Sequence, residues 1–334
     1  MSGLPQRLVD AWYGDAPPPA WARVLEPVYR RIVAWRRSAY RRGWMRSAHP
    51  GRPVLVVGNL TVGGAGKTPL VIWLVRALTD AGLSPAVVSR GYGGEEPRSP
   101  HRVTADDDPK SSGDEPMLVA AATGRPVWIC RDRLAAARAA VAAGADVIVA
   151  DDGLQHYRLQ RDVEFVVIDG VRGLGSGRCL PAGPLREPSA RLAEADFVVC
   201  NGRGNCPPGA LTMMLDGDEA VRIGGGERRR LASFAPGPVH AVAGIGHPER
   251  FFAMLERHGL GLIRHPLADH APVPRALLAP GDGRSVLMTA KDAARCSREP
   301  AAATCWQVPV EADLGPDGPR LRAMLAQRLG LREA

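Results

Sequence analysis

The run Val57-Gly58-Asn59-Leu60-Thr61-Val62-Gly63-Gly64-Ala65-Gly66-Lys67-Thr68-Pro69 constrains this chain more than any other segment. An apolar stretch, Val54–Val57, precedes it and reads as a buried strand, and Leu70–Leu78 after it reads as a helix. Strand, glycine-rich loop ending in Lys-Thr, then helix is the context of a phosphate-binding P-loop. Glycines let consecutive backbone N–H groups converge on phosphate oxygens, and the helix N-terminus adds partial positive charge. Gly63, Gly64, Ala65 and Gly66 are the expected cradle for ATP. Lys67 is placed to reach the terminal phosphates and Thr68 to ligate Mg²⁺. The loop departs from G-x-x-x-x-G-K-[ST] at Thr61, where glycine is expected, and the Gly63-Gly64 doublet partly compensates. The other reading is a glycine-rich turn that holds no ligand.

The 334 residues are 45% hydrophobic and 23% charged, which fits a folded core of one large or two ordinary domains. A net charge of +8 makes an anionic partner plausible, although a GC-rich genome, which favours arginine over lysine, explains it equally well. Six cysteines show no CxxC spacing, so a zinc site is not expected, and scattered free thiols fit a reducing compartment. No apolar run approaches 18 residues, so no bilayer span is expected.

The first fifty residues stand apart. They hold Trp12, Trp21, Trp35 and Trp44, and eight arginines between Arg23 and Arg46 against one acid, Glu26. Trp21, Val24, Leu25, Val28, Ile32, Trp35 and Ala39 share one helical face, with Arg23, Arg30, Arg37 and Arg41 opposite and Pro27 expected to start or kink the second part. A basic helix flanked by aromatic residues reads as an interfacial membrane helix on anionic headgroups. A helix packed on the core with a solvated arginine face is the alternative.

From Pro53 to Asn201, short apolar runs alternate with helical stretches such as Arg133–Ala143. The class expected is α/β: a P-loop NTPase-type, doubly wound, mostly parallel sheet. Asn201–Gly226 is poor in periodicity and reads as a boundary. His240–Ala243, Ser285–Thr289 and Cys305–Val310 read as strands of a second, smaller α/β lobe, with helices at Pro248–His258 and Pro319–Leu329. The expected division is 1–50 for the amphipathic helix region, 51–215 for the P-loop core and 216–334 for the smaller lobe.

Val147–Ala150 runs into Asp151-Asp152-Gly153-Leu154-Gln155-His156. Two acids at a strand end repel each other without a cation, so Asp151 and Asp152 read as a Mg²⁺ site after a P-loop. Asp114, in Gly113-Asp114-Glu115-Pro116, is either a helix cap or a general base for an alcohol. His270 would suit it as an orienting partner, but spacing does not bring the two together. Ser89-Arg90-Gly91-Tyr92-Gly93-Gly94 reads as a basic, aromatic substrate loop or a plain turn. In Leu180–Pro188, Arg186 either binds phosphate or pairs with Glu187 on the surface.

In this order, VGNLTVGGAGKTP, SRGYGG, GDEP, ADDGLQH, LPAGPLREP, AGIGHPERFF, LADH and LMTAKDAARC resemble the tetraacyldisaccharide 4'-kinase family of the lipid A pathway in Gram-negative bacteria. The family's loop shares the form with Thr61. The resemblance implies ATP- and Mg²⁺-dependent phosphorylation of the 4'-hydroxyl of a lipid A disaccharide 1-phosphate. It implies a two-lobed fold, a site in the cleft, and a peripheral place on the cytoplasmic face of the inner membrane. It implies Lys67 and Thr68 at the phosphates and metal, Asp151 and Asp152 as metal-site acids, and Asp114 as base with His270 as helper. Gln155 and His156 would line the site. Two departures stand out: Ala271 where a second histidine is often found, and Ala290 where an acid often precedes the Lys-Asp pair. The LMTAKDAARC segment is assigned no chemical role. A ParA-like switch ATPase, which has similar variant loops, and a nucleic-acid binder are the competing readings. The switch ATPase leaves the Trp-rich helix, GDEP and ADDGLQH unaccounted for, and tryptophans interleaved with arginines suit a membrane interface better than nucleic acid.

Overall fold

The computed structural model describes residues 4–91, 94–104, 107–269, 271–297 and 299–330. Two helices open the chain, α1 (Leu4–Tyr13) and α2 (Ala20–Arg41). The P-loop unit follows as β1 (Val54–Gly58), α3 (Lys67–Asp80), β2 (Pro85–Ser89), β3 (His101–Arg102), α4 (Pro109–Ser112), α5 (Asp114–Thr123), β4 (Val127–Ile129) and α6 (Arg133–Ala142). It continues with β5 (Val147–Asp151), β6 (Val163–Asp169), β7 (Phe197–Asn201) and β8 (Leu211–Asp216). The second lobe holds β9 (Glu219–Arg222), β10 (Arg228–Arg230), β11 (Pro238–Ala243), α7 (Pro248–Arg257), β12 (Gly261–Pro266), α8 (Arg275–Leu278), β13 (Val286–Thr289), α9 (Ala290–Cys296) and β14 (Trp306–Val308). The chain ends in β15 (Glu311–Asp313) and α10 (Asp317–Arg328).

Among the described residues the larger sheet has nine strands in the order β15-β8-β7-β6-β1-β5-β2-β4-β3. Its interior pairs are parallel, and only the edge strands β3 and β15 run antiparallel. β1 lies at its centre, buried along its whole length, because a parallel sheet covered on both faces demands a continuous apolar run. Leu55 and Val57 point into one core with α3, while Val54 and Val56 point into the other with α6. Leu70, Val71, Leu74 and Leu78 form the inward stripe of α3, and Ala136, Ala137 and Ala140 let α6 lie close to the sheet. The doubly wound α/β reading therefore holds.

The smaller sheet has six strands, β10-β9-β14-β13-β11-β12, over its own cluster around Phe252, Leu255 and Leu287. Its strands begin after β8, and the last strand of the chain does not belong to it. β15 pairs with β8 of the larger sheet, and Leu314, Leu321 and Leu325 join the larger core. The second lobe is thus an insertion between two neighbouring strands, rather than a unit running to the terminus. β15 covers the edge of β8, and the apolar face of α10 packs into the core beside α3.

Three further expectations are corrected. Pro27 does not start a second helix but lies inside one continuous α2, since a proline removes a single hydrogen bond and the docked residues on either side hold the turns together. Ala39, counted with the outward apolar face, is buried. Cys200 and Cys206 are paired as a disulfide across the tight turn after β7, while Cys130, Cys179, Cys296 and Cys305 are free and buried. No described helix is long and apolar enough to cross a membrane.

Candidate active site

The P-loop leaves the C-terminal end of β1 at the centre of the sheet, where ligands of such folds bind. Register places Val57 of β1 beside Asp151 of β5, so the loop and the paired acids meet at one sheet edge. Two glycines are required there. A Cβ on Gly58 would lie 2.4 Å from Cβ of Leu154, and Gly66 has φ +93° with its Cβ direction 2.2 Å from Nδ2 of Asn201. Asn201 in turn donates to the Ala65 carbonyl at 3.0 Å. Asn59 organises the loop from within: its Nδ2 donates to Gly63 O at 3.1 Å, and its Oδ1 accepts from Lys67 Nζ at 3.2 Å. Thr61 is buried and sits in an isolated bridge with Leu185, so the irregular position packs against the proline-rich loop.

That loop runs alongside as a strap: Val62 N donates to Pro184 O and Arg186 N to Leu60 O. Arg186 does not pair with Glu187 on the surface. Its Nη1 lies 3.2 Å from Asp152 Oδ1, and Glu187 is buried. Glu187 accepts from Gln155 Nε2 at 3.4 Å and from the Tyr157 hydroxyl.

Asp151 and Asp152 occupy different electrostatic environments. Burial, then the charge of Glu115, pushes Asp151 up to about 7. Its Oδ1 is buried without a hydrogen-bond partner. Asp152 turns out of the strand at φ +48° toward Lys67, whose Nζ lies 3.5 Å away. Burial works against its charge, yet Lys67, Arg186 and Arg133 hold it down to about 2. An unpartnered buried carboxylate oxygen on the strand beside β1, which feeds the P-loop, fits a divalent cation, with Thr68, Asp151 and Asp152 as the residues that could hold it.

Asp114 and Glu115 form the first turn of α5. Asp114 is buried and its carboxylate pairs with Arg295 of the second lobe at 2.7 Å. Glu115 pairs with Lys291 and faces Lys67; despite its burial, the two lysines keep it ionised. The loop after β11 reaches the P-loop itself, with the Cβ direction of Gly246 3.3 Å from Gly64 N. His270 and Tyr92 lie outside the described residues; Asp269, beside His270, lies near Gly246.

A cavity of about 580 Å³ opens between the P-loop and α2. Arg36, Arg90, Arg131, Arg133 and Arg186 line it against Asp152 and Glu187. Gln155 and His156 line it too. Burial, then Arg133, lowers His156 to about 4, so the ring is neutral near pH 7. Sequence reasoning missed Asn59, Glu115, Arg133, Tyr157 and Glu187. Of these only Glu115 carried a signal, as the second acid of GDEP.

Helix α2 roofs this cavity. Its inner face is Ala22, Glu26, Tyr29, Val33 and Arg37. Glu26 accepts from Cys179 N at 3.0 Å, Tyr29 OH donates to Arg186 O at 2.9 Å, and Arg37 pairs with Glu194. The apolar stripe faces outward: Val24 is 71%, Trp35 61% and Ile32 58% exposed.

The chain matches the model of the family described as "Tetraacyldisaccharide-1-P 4'-kinase" over residues 20–330. It is similar to the tetraacyldisaccharide 4'-kinase of Alkalilimnicola ehrlichii, 50% identical over 324 residues, covering 93% of this chain and 95% of that protein. It is 48% identical to the enzyme of the same name from Stenotrophomonas maltophilia, with 94% and 95% covered. The fold is similar to that of LpxK from Aquifex aeolicus crystallised in complex with ATP, at TM-score 0.75 and 24% identity, covering 91% of this chain and 97% of that one.

Proposed function

The chain belongs to the tetraacyldisaccharide-1-P 4'-kinase family, and from that premise we infer an ATP-dependent kinase that phosphorylates the 4'-hydroxyl of a tetraacyldisaccharide 1-phosphate in lipid A biosynthesis. The observation that carries the reading is the arginine-lined cavity, bounded on one side by the P-loop and on the other by a helix with an apolar outer face. A substrate with an anionic sugar and lipid tails needs both.

The P-loop N–H groups and Lys67 bind the β- and γ-phosphates. Bound at Thr68, Asp151 and Asp152, Mg²⁺ supplies neutralisation of the phosphate charge. Asp114 is the base. It takes the proton of the 4'-hydroxyl as that oxygen bonds to the γ-phosphorus and the bond to the β-phosphate oxygen breaks, leaving ADP. Asp114 is supported in this role by its burial and by its place in the first turn of α5, next to Glu115 and so near Lys67. His270 acts as its helper. Arg90, Arg131 and Arg133 offset the 1-phosphate charge, and Gln155, His156 and Tyr92 line the sugar site.

The outward stripe of α2 seats the enzyme on an anionic membrane surface, the cytoplasmic face of the inner membrane, so the lipid need not leave the bilayer. This is supported by the inverted docking of α2, polar face in and apolar face out. The defining experiment is incubation with ATP, Mg²⁺ and the disaccharide 1-phosphate, followed by mass analysis. One added phosphate on the distal sugar is expected. ATP hydrolysis with an unmodified lipid would reject the assignment.

A further inference from the structure

Two basic residues of α9, in the second lobe, each hold one of the adjacent acids that open α5 in the first. Arg295 donates twice to Asp114 Oδ2, from Nε at 2.9 Å and from Nη2 at 2.7 Å. Lys291 pairs with Glu115. The arginine is itself fixed by its own lobe: Nη1 donates to Asp292 Oδ1 at 3.0 Å and to Gly244 O at 3.0 Å. Asp292 is fully buried, and its Oδ2 accepts from Gly244 N at 2.9 Å and from the Thr289 hydroxyl at 2.6 Å. The guanidinium therefore joins three anchors, two in its own lobe and one across the cleft. Its planar fork, unlike a lysine's point charge, transmits an orientation as well as a charge.

We propose that Arg295 is a positioning residue for phosphoryl transfer: held by Asp292 and Gly244, it aligns the Asp114 carboxylate from the opposite lobe. Seating the second lobe and aligning the base are then one event. This gives LMTAKDAARC its role, with Thr289 and Asp292 as the mount and Arg295 as the arm. The inference rests on the kinase reading and on Asp114 as base.

A second lobe-crossing arginine separates alignment from mere attachment. Arg250 of α7 donates to Asp169 Oδ1 at 2.6 Å and to Asn201 O at 3.0 Å, joining the lobes without touching Asp114. Full-length wild type, Arg295→Met, Arg295→Lys and Arg250→Met are assayed with ATP, Mg²⁺ and the disaccharide 1-phosphate in mixed micelles. Nucleotide affinity is measured separately by equilibrium binding. Arg295→Met is expected to lower kcat about a hundredfold, with both KM values and nucleotide affinity within about threefold of wild type. Arg295→Lys is expected to recover about tenfold of that loss, and Arg250→Met to lose about tenfold less kcat than Arg295→Met. The proposal is overturned if Arg295→Met keeps kcat within about threefold, if Arg250→Met matches its kcat loss, or if the lysine variant is no better than the methionine variant. Should Arg295→Met not fold, Arg295→Lys and Asp292→Asn carry the comparison: a kcat loss without a loss of nucleotide affinity is expected of each, and wild-type kcat in both overturns the proposal. Absence of lipid phosphorylation by the wild type fails the kinase reading instead.

Discussion

Asp151 and Asp152 are neighbours in sequence, yet three cations favour the charged form of one, while burial and then Glu115 push the other toward its neutral form. Single side chains in this site are set by what surrounds them, and His156 shows the same. Its folded value of about 4 lies below the ordinary 6.5. The neutral ring's contribution to stability is thus complete above pH 6.5 and is lost as pH falls through about 4. Ring NMR should show a midpoint near 4, and a midpoint near 6.5 would contradict the buried environment. Asp114→Ala is expected to cut turnover about a hundredfold or more while nucleotide affinity changes little; equal losses in both would remove Asp114 as the base. Gly58→Ala should cost about 1–3 kcal/mol in denaturant unfolding, because the new methyl meets Leu154 in a packed core. Legibility at this scale followed pattern. Lys67, Thr68, Asp151 and Asp152 could be read because each sits at the polar end of an apolar run. Glu187 and Tyr157 could not, since an acid between an arginine and a proline in a loop looks the same whether solvated or buried under a helix. The contact of Arg186 with Asp152 was hidden for the same reason, since the two lie 34 positions apart.

Among the elements, α2 shows what periodicity supplies and what it withholds. Its apolar stripe is plain in the sequence, but spacing does not say whether a stripe meets core or surroundings. The deciding contacts come from residues that spacing would place outside: Glu26, Tyr29 and Arg37 are the ones that dock. Charging the outward face, as in Val24→Glu with Ile32→Glu, should weaken binding to anionic vesicles on the order of tenfold or more and leave unfolding unchanged. Unchanged vesicle binding would reject the membrane role. Glu26→Ala should instead cost about 1–3 kcal/mol of stability, because it strips a buried partner from Cys179 N. Strands show the same limit. β1 and β5 were legible as continuous buried runs. β8 and β12 were not, because one puts Met214 among its exposed positions and the other is exposed over much of its own length.

At the level of the whole molecule, the two lobes meet across the candidate site through ion pairs of one polarity, bases of the second lobe on acids of the first. Arg295 and Lys291 reach from the second lobe to acids of α5, and Arg250 reaches to Asp169. The doubly wound first sheet followed from the alternation of strands and helices. The return of β15 and α10 to it did not, since nothing in a short acidic strand names its partner. That return ties the architecture to the order of synthesis. The edge of the first core is closed by Leu314, Leu321 and Leu325, which follow the inserted lobe in the chain. The P-loop unit is made early but cannot be finished until the inserted lobe has been made and passed over. Chains stopped at residue 310 should therefore remain protease-sensitive in the P-loop unit, and full-length chains should acquire resistance in both lobes together.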